Sequence, residues 1–325
     1  MIHRLNWRRW LAIGAAAIAC GTQAQSFPSR PVKLVVGFAP GGAADFVARV
    51  LQEPLARGLG QPIVVENRAG AGSSIAAEYV ARSAPDGYTF LIASPSSILV
   101  NPVISPKPGF DPRRDLAPVS KVTSSPLVVA VHSSVGVATL GELIAYAKNA
   151  PGKLNFASSG NGAAPHLAAV LFMRLAGVDM VHVPFKGGGP AVQSLLAGDT
   201  QLSFATPPSL LPHVQSGRIR ALAVTSRERT PLVPGVPGMA EAGLPGYEIS
   251  FWYGFFVPAA TPREIVKRIF DATAAALALP AVGRALEKEG TETSGSKSSE
   301  DFAAFIAEDA KLWLRLVKDS GVRAD

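Results

Sequence analysis

The residues best placed to do chemistry sit in three glycine-rich turns. These are Gly37-Phe38-Ala39-Pro40-Gly41-Gly42 leading into Ala43, Ala44 and Asp45, then Ser158-Ser159-Gly160-Asn161-Gly162 with His166 just beyond, and Lys186-Gly187-Gly188-Gly189. Each turn follows a short apolar run and precedes helical spacing, so each places backbone N–H groups at a helix start. Those groups lack intrahelical acceptors and carry partial positive charge, which suits an anion. Glycine lets the backbone approach a ligand closely, and Ser158, Ser159 and Asn161 add side-chain hydrogen bonds. Ser94 and Thr206 close two further strands, and in open α/β sheets ligands bind just beyond the carboxyl ends of the strands. Each loop has a plainer alternative role as a tight strand-to-helix turn. Asp45 has one too, as a carboxylate in the first turn favouring its helix dipole.

Other chemistries find little support. Gly70-Ala71-Gly72 follows a strand, but Ile75 occupies the third small position of a dinucleotide fingerprint, and no P-loop motif occurs. There is no G-x-S-x-G elbow; a hydrolase would have to pair Ser158 or Ser159 with His166, which more naturally hydrogen-bonds its own loop or a ligand. His132, His166, His182 and His213 lack metal-ligand spacing, and His182 reads as a core histidine inside an apolar strand. No catalytic residue, metal or cofactor is expected. Trp252 and Tyr253 read as core or hinge aromatics, with a pocket wall as the lesser alternative.

The elements that must position these loops alternate between strand and helix. Strands are expected at Val32–Val36, Ile63–Glu66, Tyr88–Ala93, Leu127–Val131, Leu154–Ala157, Val181–Val183, Gln201–Ala205 and Ile219–Thr225. Helices are expected between them, at about 164–176, 189–197 and 208–216 among others, and one from Leu140 with Thr139 and Glu142 forming a capping box. This alternation means an α/β architecture with mainly parallel sheets. The last quarter differs: an aromatic strand at Ile249–Val257, a helix opened by a Thr261–Glu264 capping box, and a helix from Glu300 to Ser320 closed by Gly321.

Composition narrows the function class. Of 325 residues, 48% are hydrophobic and 17% charged, enough core formers for two domains and against disorder. The net charge is +7, but Arg4, Arg8 and Arg9 lie in the first 24 residues, leaving 28 basic against 24 acidic residues without a basic block. Nucleic-acid binding is therefore excluded, and a small anion is favoured. Residues 1–24 read as a cleaved signal peptide: a basic start, an apolar run from Trp10 to Cys20, and cleavage after Ala24. A retained anchor, twin-arginine export through Arg8-Arg9 and lipidation of Cys20 remain alternatives. The mature chain then has no cysteine, so disulfides and thiol catalysis are excluded.

Several motifs, in order along the chain, carry a family resemblance. They are Phe27-Pro28-Ser29-Arg30-Pro31, Pro40-Gly41-Gly42-Ala43-Ala44-Asp45, Val65-Glu66-Asn67-Arg68-Ala69-Gly70-Ala71-Gly72 and Ala84-Pro85-Asp86-Gly87-Tyr88-Thr89. The Ser158–Gly162 loop with His166, His182-Val183-Pro184-Phe185-Lys186-Gly187-Gly188-Gly189, Ala221-Leu222-Ala223-Val224-Thr225 and Glu241-Ala242-Gly243-Leu244-Pro245-Gly246-Tyr247 complete the set. Together they resemble the Bug family, the substrate-binding proteins of tripartite tricarboxylate transporters, over essentially the whole mature chain.

The resemblance implies a two-lobed periplasmic-binding-protein-like fold with the ligand cleft between the lobes. Lobe 1 would span 25–124 plus 254–325 and lobe 2 would span 125–253, with hinge crossings near 124–126 and 251–254. It implies a monomer that captures a small carboxylate in the periplasm and delivers it to membrane permease subunits. The ligand loops would be Phe38 to Ala44, Ser158 to Asn161 and Lys186 to Gly188. Ala44 stands where many members carry Thr, and Ala205-Thr206 where many carry Asp-Asn. The lost acid disfavours an amino-acid ligand and favours a di- or tricarboxylate or an aromatic carboxylate. A ligand sensor docking on a membrane receptor and a hydrolase using Ser158 or Ser159 are the competing readings.

Overall fold

The computed structural model describes residues 27–107, 110–320 and 322. The expected signal peptide and the closing Gly321 lie outside the described residues.

Two mixed sheets flanked by helices build the molecule. The first holds six strands: β1 (Val32–Val36), β2 (Ile63–Asn67), β3 (Thr89–Ala93), β4 (Leu116–Pro126), β10 (Ser250–Pro258) and β11 (Glu292–Thr293), in the order β11-β4-β10-β3-β1-β2. The second holds β5 (Val128–His132), β6 (Asn155–Ser158), β7 (Val181–Pro184), β8 (Leu202–Ala205) and β9 (Ile219–Val224), in the order β7-β6-β8-β5-β9. The two-lobed α/β class holds, but the sheets are less parallel than the alternation suggested. β1 pairs in parallel with β2 and β3, and β6 with β7 and β8, while β10 runs antiparallel to β3 and β4, and β5 antiparallel to β8 and β9. The antiparallel strands are those through which the chain enters or returns to a sheet. Such a strand needs no crossover helix, so alternation cannot reveal its direction.

Eight helices carry most of the packing on these sheets. They are α1 (Ala43–Leu59), α2 (Ser74–Ala81), α5 (Leu140–Asn149), α6 (Ala164–Ala176), α7 (Gly188–Ala197), α8 (Pro207–Gln215), α9 (Arg263–Leu277) and α11 (Ser299–Ser320). The short helices α3 (Asn101–Ile104) and α4 (Pro112–Asp115), and α10 (Pro280–Lys288), complete the set. Burial follows the expected stripes: Val47, Leu51 and Leu55 of α1 have no exposed surface. No single helix among the described residues is long and apolar enough to cross a membrane.

Two capping predictions end differently. The Thr139 hydroxyl accepts the Glu142 N–H at 3.2 Å, and the Glu142 carboxylate accepts the Ala138 N–H at 2.6 Å, one residue before the usual capping-box donor. At the other site Pro262, not Thr261, caps α9, and the Thr261 hydroxyl is buried without a hydrogen-bond partner. The capping box expected there does not form. α10 and β11 also separate what were read as two consecutive helices, because the two-residue strand is too short to leave a periodic signal.

The chain leaves the first sheet at Leu127, directly after β4, and returns to it at Ser250. Ser250 lies opposite Pro126 in the register, so the two passages run side by side.

Candidate functional site

Four helix starts converge on one cavity between the sheets. Gly42, Ala43 and Ala44 at the head of α1, Pro165 at α6, Gly188 at α7 and Thr206 at α8 all line it. Their N-cap residues are Gly42, Ala163, Gly187 and Thr206, and none caps its helix with a side chain. Elsewhere in the molecule Thr139 and Asp111 do cap α5 and α4. At the cavity the N–H groups and dipoles of these four uncapped starts create a positive field without a cation. Topology places them there, because β1, β6 and β8 end at Val36, Ser158 and Ala205, beside the helix starts.

The lobes meet directly over this cavity. The Ala39 N–H donates to the Lys186 carbonyl at 3.2 Å, and the Ala164 N–H donates to the Ser96 hydroxyl at 2.9 Å. Gly187 has φ +139°, and a Cβ there would lie 3.1 Å from the Ala39 nitrogen, so glycine permits both the backbone angle and the approach.

Among the residues expected from sequence, Phe38, Gly42, Ala43, Ala44, Ser159, Gly188 and Thr206 line the cavity. Ala39, Gly41, Asp45, Ser94, Ser158, Gly160, Asn161, His166, Lys186 and Gly187 do not, and several support the loops instead. The buried Asp45 carboxylate accepts from the Gly41 N–H (3.2 Å), from Arg49 Nε (2.9 Å) and from Asn67 Nδ2 (3.0 Å). Burial pushes its pKa up, but Arg49, the Gly41 amide and Asn67 outweigh that and hold it below the usual carboxylate range. Asn67 Nδ2 also donates to the Phe38 carbonyl at 3.0 Å, so this pair sets the shape of the first loop. Lys186 is exposed, while Ser94 is fully buried and its hydroxyl has no partner.

The second loop rests on a stack of rings. Phe156 and His182 lie 4.9 Å apart, and His182 and His166 3.7 Å apart, at near-parallel angles. His166 Nδ1 accepts the Gly162 N–H at 3.1 Å, as its expected loop-supporting role requires. Burial, aided by His182, pushes its pKa down to about 3, so the ring is neutral. The imagined Ser158–His166 pair is absent. Ser158 Oγ instead lies 2.6 Å from His182 Nε2, donates to the Gly160 carbonyl at 3.0 Å and accepts the Gly160 N–H at 3.2 Å. With no exposed surface and no place in the lining, Ser158 braces the loop and does not present a nucleophile to the cavity. Among the described residues, no group of three or more potential ligands could hold a metal ion.

Ser96, Pro165, Ala191, Ser203, Ala205, Phe251 and Tyr253 also line the cavity and were not singled out as contacts. Ser96 opens a π-helical turn over Ser96–Val100 that leaves no periodic signal. Phe251 and Tyr253 were within reach, because residues two apart on a strand share a face. Their rings meet edge to face at 4.9 Å, and both lie in the lining beside Ala44. Burial raises the Tyr253 pKa far above its ordinary value, so the phenol keeps its proton. Tyr253 thus walls the cavity, whereas Trp252 points the other way and donates to Asp309 at 2.7 Å, as does Trp313 at 2.8 Å.

Comparison with known proteins agrees with this architecture. The model of the tripartite tricarboxylate transporter family receptor matches residues 47–322. Protein BugT of Bordetella pertussis is 37% identical over 325 residues, covering 98% of this chain and 99% of that protein. Among solved structures, R. palustris Rpa4515 with adipate superposes with a TM-score of 0.87 at 35% identity, covering 91% of this chain and 99% of that one. MatC from Rhodopseudomonas palustris with bound malate gives 0.83 at 33% identity, covering 90% and 100%. The chain belongs to the Bug/TctC-like family of solute-binding proteins, the receptors of tripartite tricarboxylate transporters.

Proposed function

We propose that this protein is a periplasmic solute-binding protein that captures a small carboxylate and presents it to the permease subunits of a tripartite tricarboxylate transporter. The observation that carries this reading is the convergence of four uncapped helix starts on a cavity whose lining includes no charged side chain. An anion there meets fixed dipoles at full strength in a water-poor setting, and no carboxylate competes with it. The adipate and malate carried by two related structures are anions of that kind. Export rests on the leader pattern of residues 1–24.

The protein would act by closure and not by bond chemistry. Leu127 and the Ile249–Ser250 passage are the two connections between the sheets, and a bend at these points would part the Ala39–Lys186 and Ser96–Ala164 contacts. A ligand that bridges both lobes favours the closed state by its differential affinity.

The test is a thermal-shift screen of the mature chain, from Gln25 onward, against mono-, di- and tricarboxylates and amino acids. A ligand at 100 times its Kd adds about 2.7 kcal/mol to stability, enough to move Tm clearly. A shift confined to carboxylates supports the reading, and none with any carboxylate contradicts it.

A further inference from the structure

A left-handed turn ahead of α2 touches both ligand loops, and one side chain holds it. Four successive residues have positive φ: 138° at Gly70, 47° at Ala71, 56° at Gly72 and 77° at Ser73. Ala71 and Ser73 are not glycine, and a side chain disfavours that backbone, so the turn must be held by its surroundings. Asn101 supplies the hold. Its Nδ2 donates to the Ala71 carbonyl at 3.0 Å and to the Gly72 carbonyl at 2.8 Å. Both partners are acceptors, which fixes the nitrogen towards the turn and uses both of its protons there. The side chain is buried, so water has little part in this.

Ser73 occupies the space over Gly37, where a Cβ would overlap its hydroxyl, at the head of the first loop. On the other side, a Cβ on Gly72 would lie 3.2 Å from the Asn161 carbonyl oxygen, so the turn abuts the second loop across the cleft. Asn101 meets that loop directly as well. A Cβ on Gly162 would lie 3.0 Å from its Oδ1 and would overlap Cδ1 of Ile104, at the far end of α3. Ser96, earlier in the same stretch, accepts the Ala164 N–H. Residues 96–104 thus form a socket for residues 160–164, which are flanked by Ser159 and Pro165 of the cavity lining. Asn101 and Ile104 themselves lie outside that lining.

We propose that Asn101 is a positioning residue for ligand capture. Through the turn at 70–73 it sets the first loop, and with Ile104 it seats the second, so that the lobes close onto a pre-formed site. A turn already held need not be ordered when the lobes meet, whereas a relaxed one must be re-formed at each closure, at the expense of affinity. This rests on the carboxylate-binding reading and adds to it residues that do not touch the ligand.

Calorimetric titration of the mature chain with adipate, malate, citrate and benzoate, together with stopped-flow displacement for koff, tests it. Asn101→Ala leaves two carbonyls without their donor, so for any of these acids that binds the wild-type chain Kd rises at least roughly tenfold, chiefly in koff. Asn101→Asp keeps the shape but has no N–H to give, and it loses affinity to the same degree. Should neither fold, Ile104→Ala, at a half-buried position, raises Kd at least roughly threefold by loosening the same socket. Thr139→Ala, which uncaps α5 outside the lining, lowers stability and leaves Kd unchanged. If the Asn101 variants lower the Tm of the ligand-free protein but keep Kd within about twofold of wild type, the residue is purely structural. That result overturns the inference and leaves the carboxylate-binding reading standing. Binding of none of the four acids by the wild-type chain overturns both.

Discussion

Replacing Ser96 by alanine removes a hydrogen bond that exists only between the closed lobes. Ser96 follows β3 of the first sheet, and the Ala164 N–H it accepts, at 2.9 Å, opens α6 of the second lobe. Ser96 is only 1% exposed and Ala164 fully buried, so in the closed variant that N–H loses its acceptor with no water to replace it. Leaving a buried donor unsatisfied costs about 1–3 kcal/mol. In the open state water takes its place, so the cost falls on the closed, ligand-bound state, where Ser96 also lines the cavity. Because ligand affinity contains the closure step, Kd rises between about 5-fold and about 150-fold. Calorimetric titration reads this, with Thr139→Ala as a control: it uncaps α5 away from the cavity, lowering stability by about 1 kcal/mol without touching Kd. If Ser96→Ala lowers the Tm of the ligand-free protein but leaves Kd within twofold, the bond is not tied to closure and the reasoning fails.

Three further outcomes follow from the same geometry. The depressed His166 pKa, about 3, makes the unfolded chain bind the extra proton first as pH falls below 6.5, so this residue's contribution is fully present above 6.5 and shrinks towards 3. Denaturant unfolding should show a loss of about 2 kcal/mol at pH 5 from this group, and His166→Asn, which keeps an acceptor for Gly162, should flatten that part of the slope. Asp45→Ala strips the acceptor from Gly41, Arg49 and Asn67, so it should cost about 1–3 kcal/mol in denaturant melts and weaken ligand binding through the first loop. Gly187→Ala places a methyl group 3.1 Å from the Ala39 nitrogen at a φ of +139°, so titration should show at least roughly tenfold weaker binding.

The sequence made the helical framework and the cavity's anion-binding loops legible because both depend on local signals. The apolar stripe and flanking residues marked α6 over 164–176, and Thr139 marked the start of α5. β4 was missed because Leu116–Pro126 mixes Ser, Thr, Lys and Pro without clean alternation; its burial comes from pairing with β10, over a hundred residues away. The same distance hid the antiparallel direction of β10. Thr261 carried a correct local cap signal, yet Pro262 took the position. At the site, the glycine loops were visible, while Ser96, Ala191 and Ser203 carry no sequence mark of their own and gain meaning only when the two lobes meet.

The central claim is capture without conversion. Native mass spectrometry of the mature chain with the tightest-binding carboxylate from the screen, followed by denaturation and recovery of the small molecule, tests it directly. The account predicts one ligand per chain, recovered chemically unchanged after prolonged incubation. A hydrolysed or otherwise altered product, lost in Ser158→Ala, would contradict it and restore the enzyme reading.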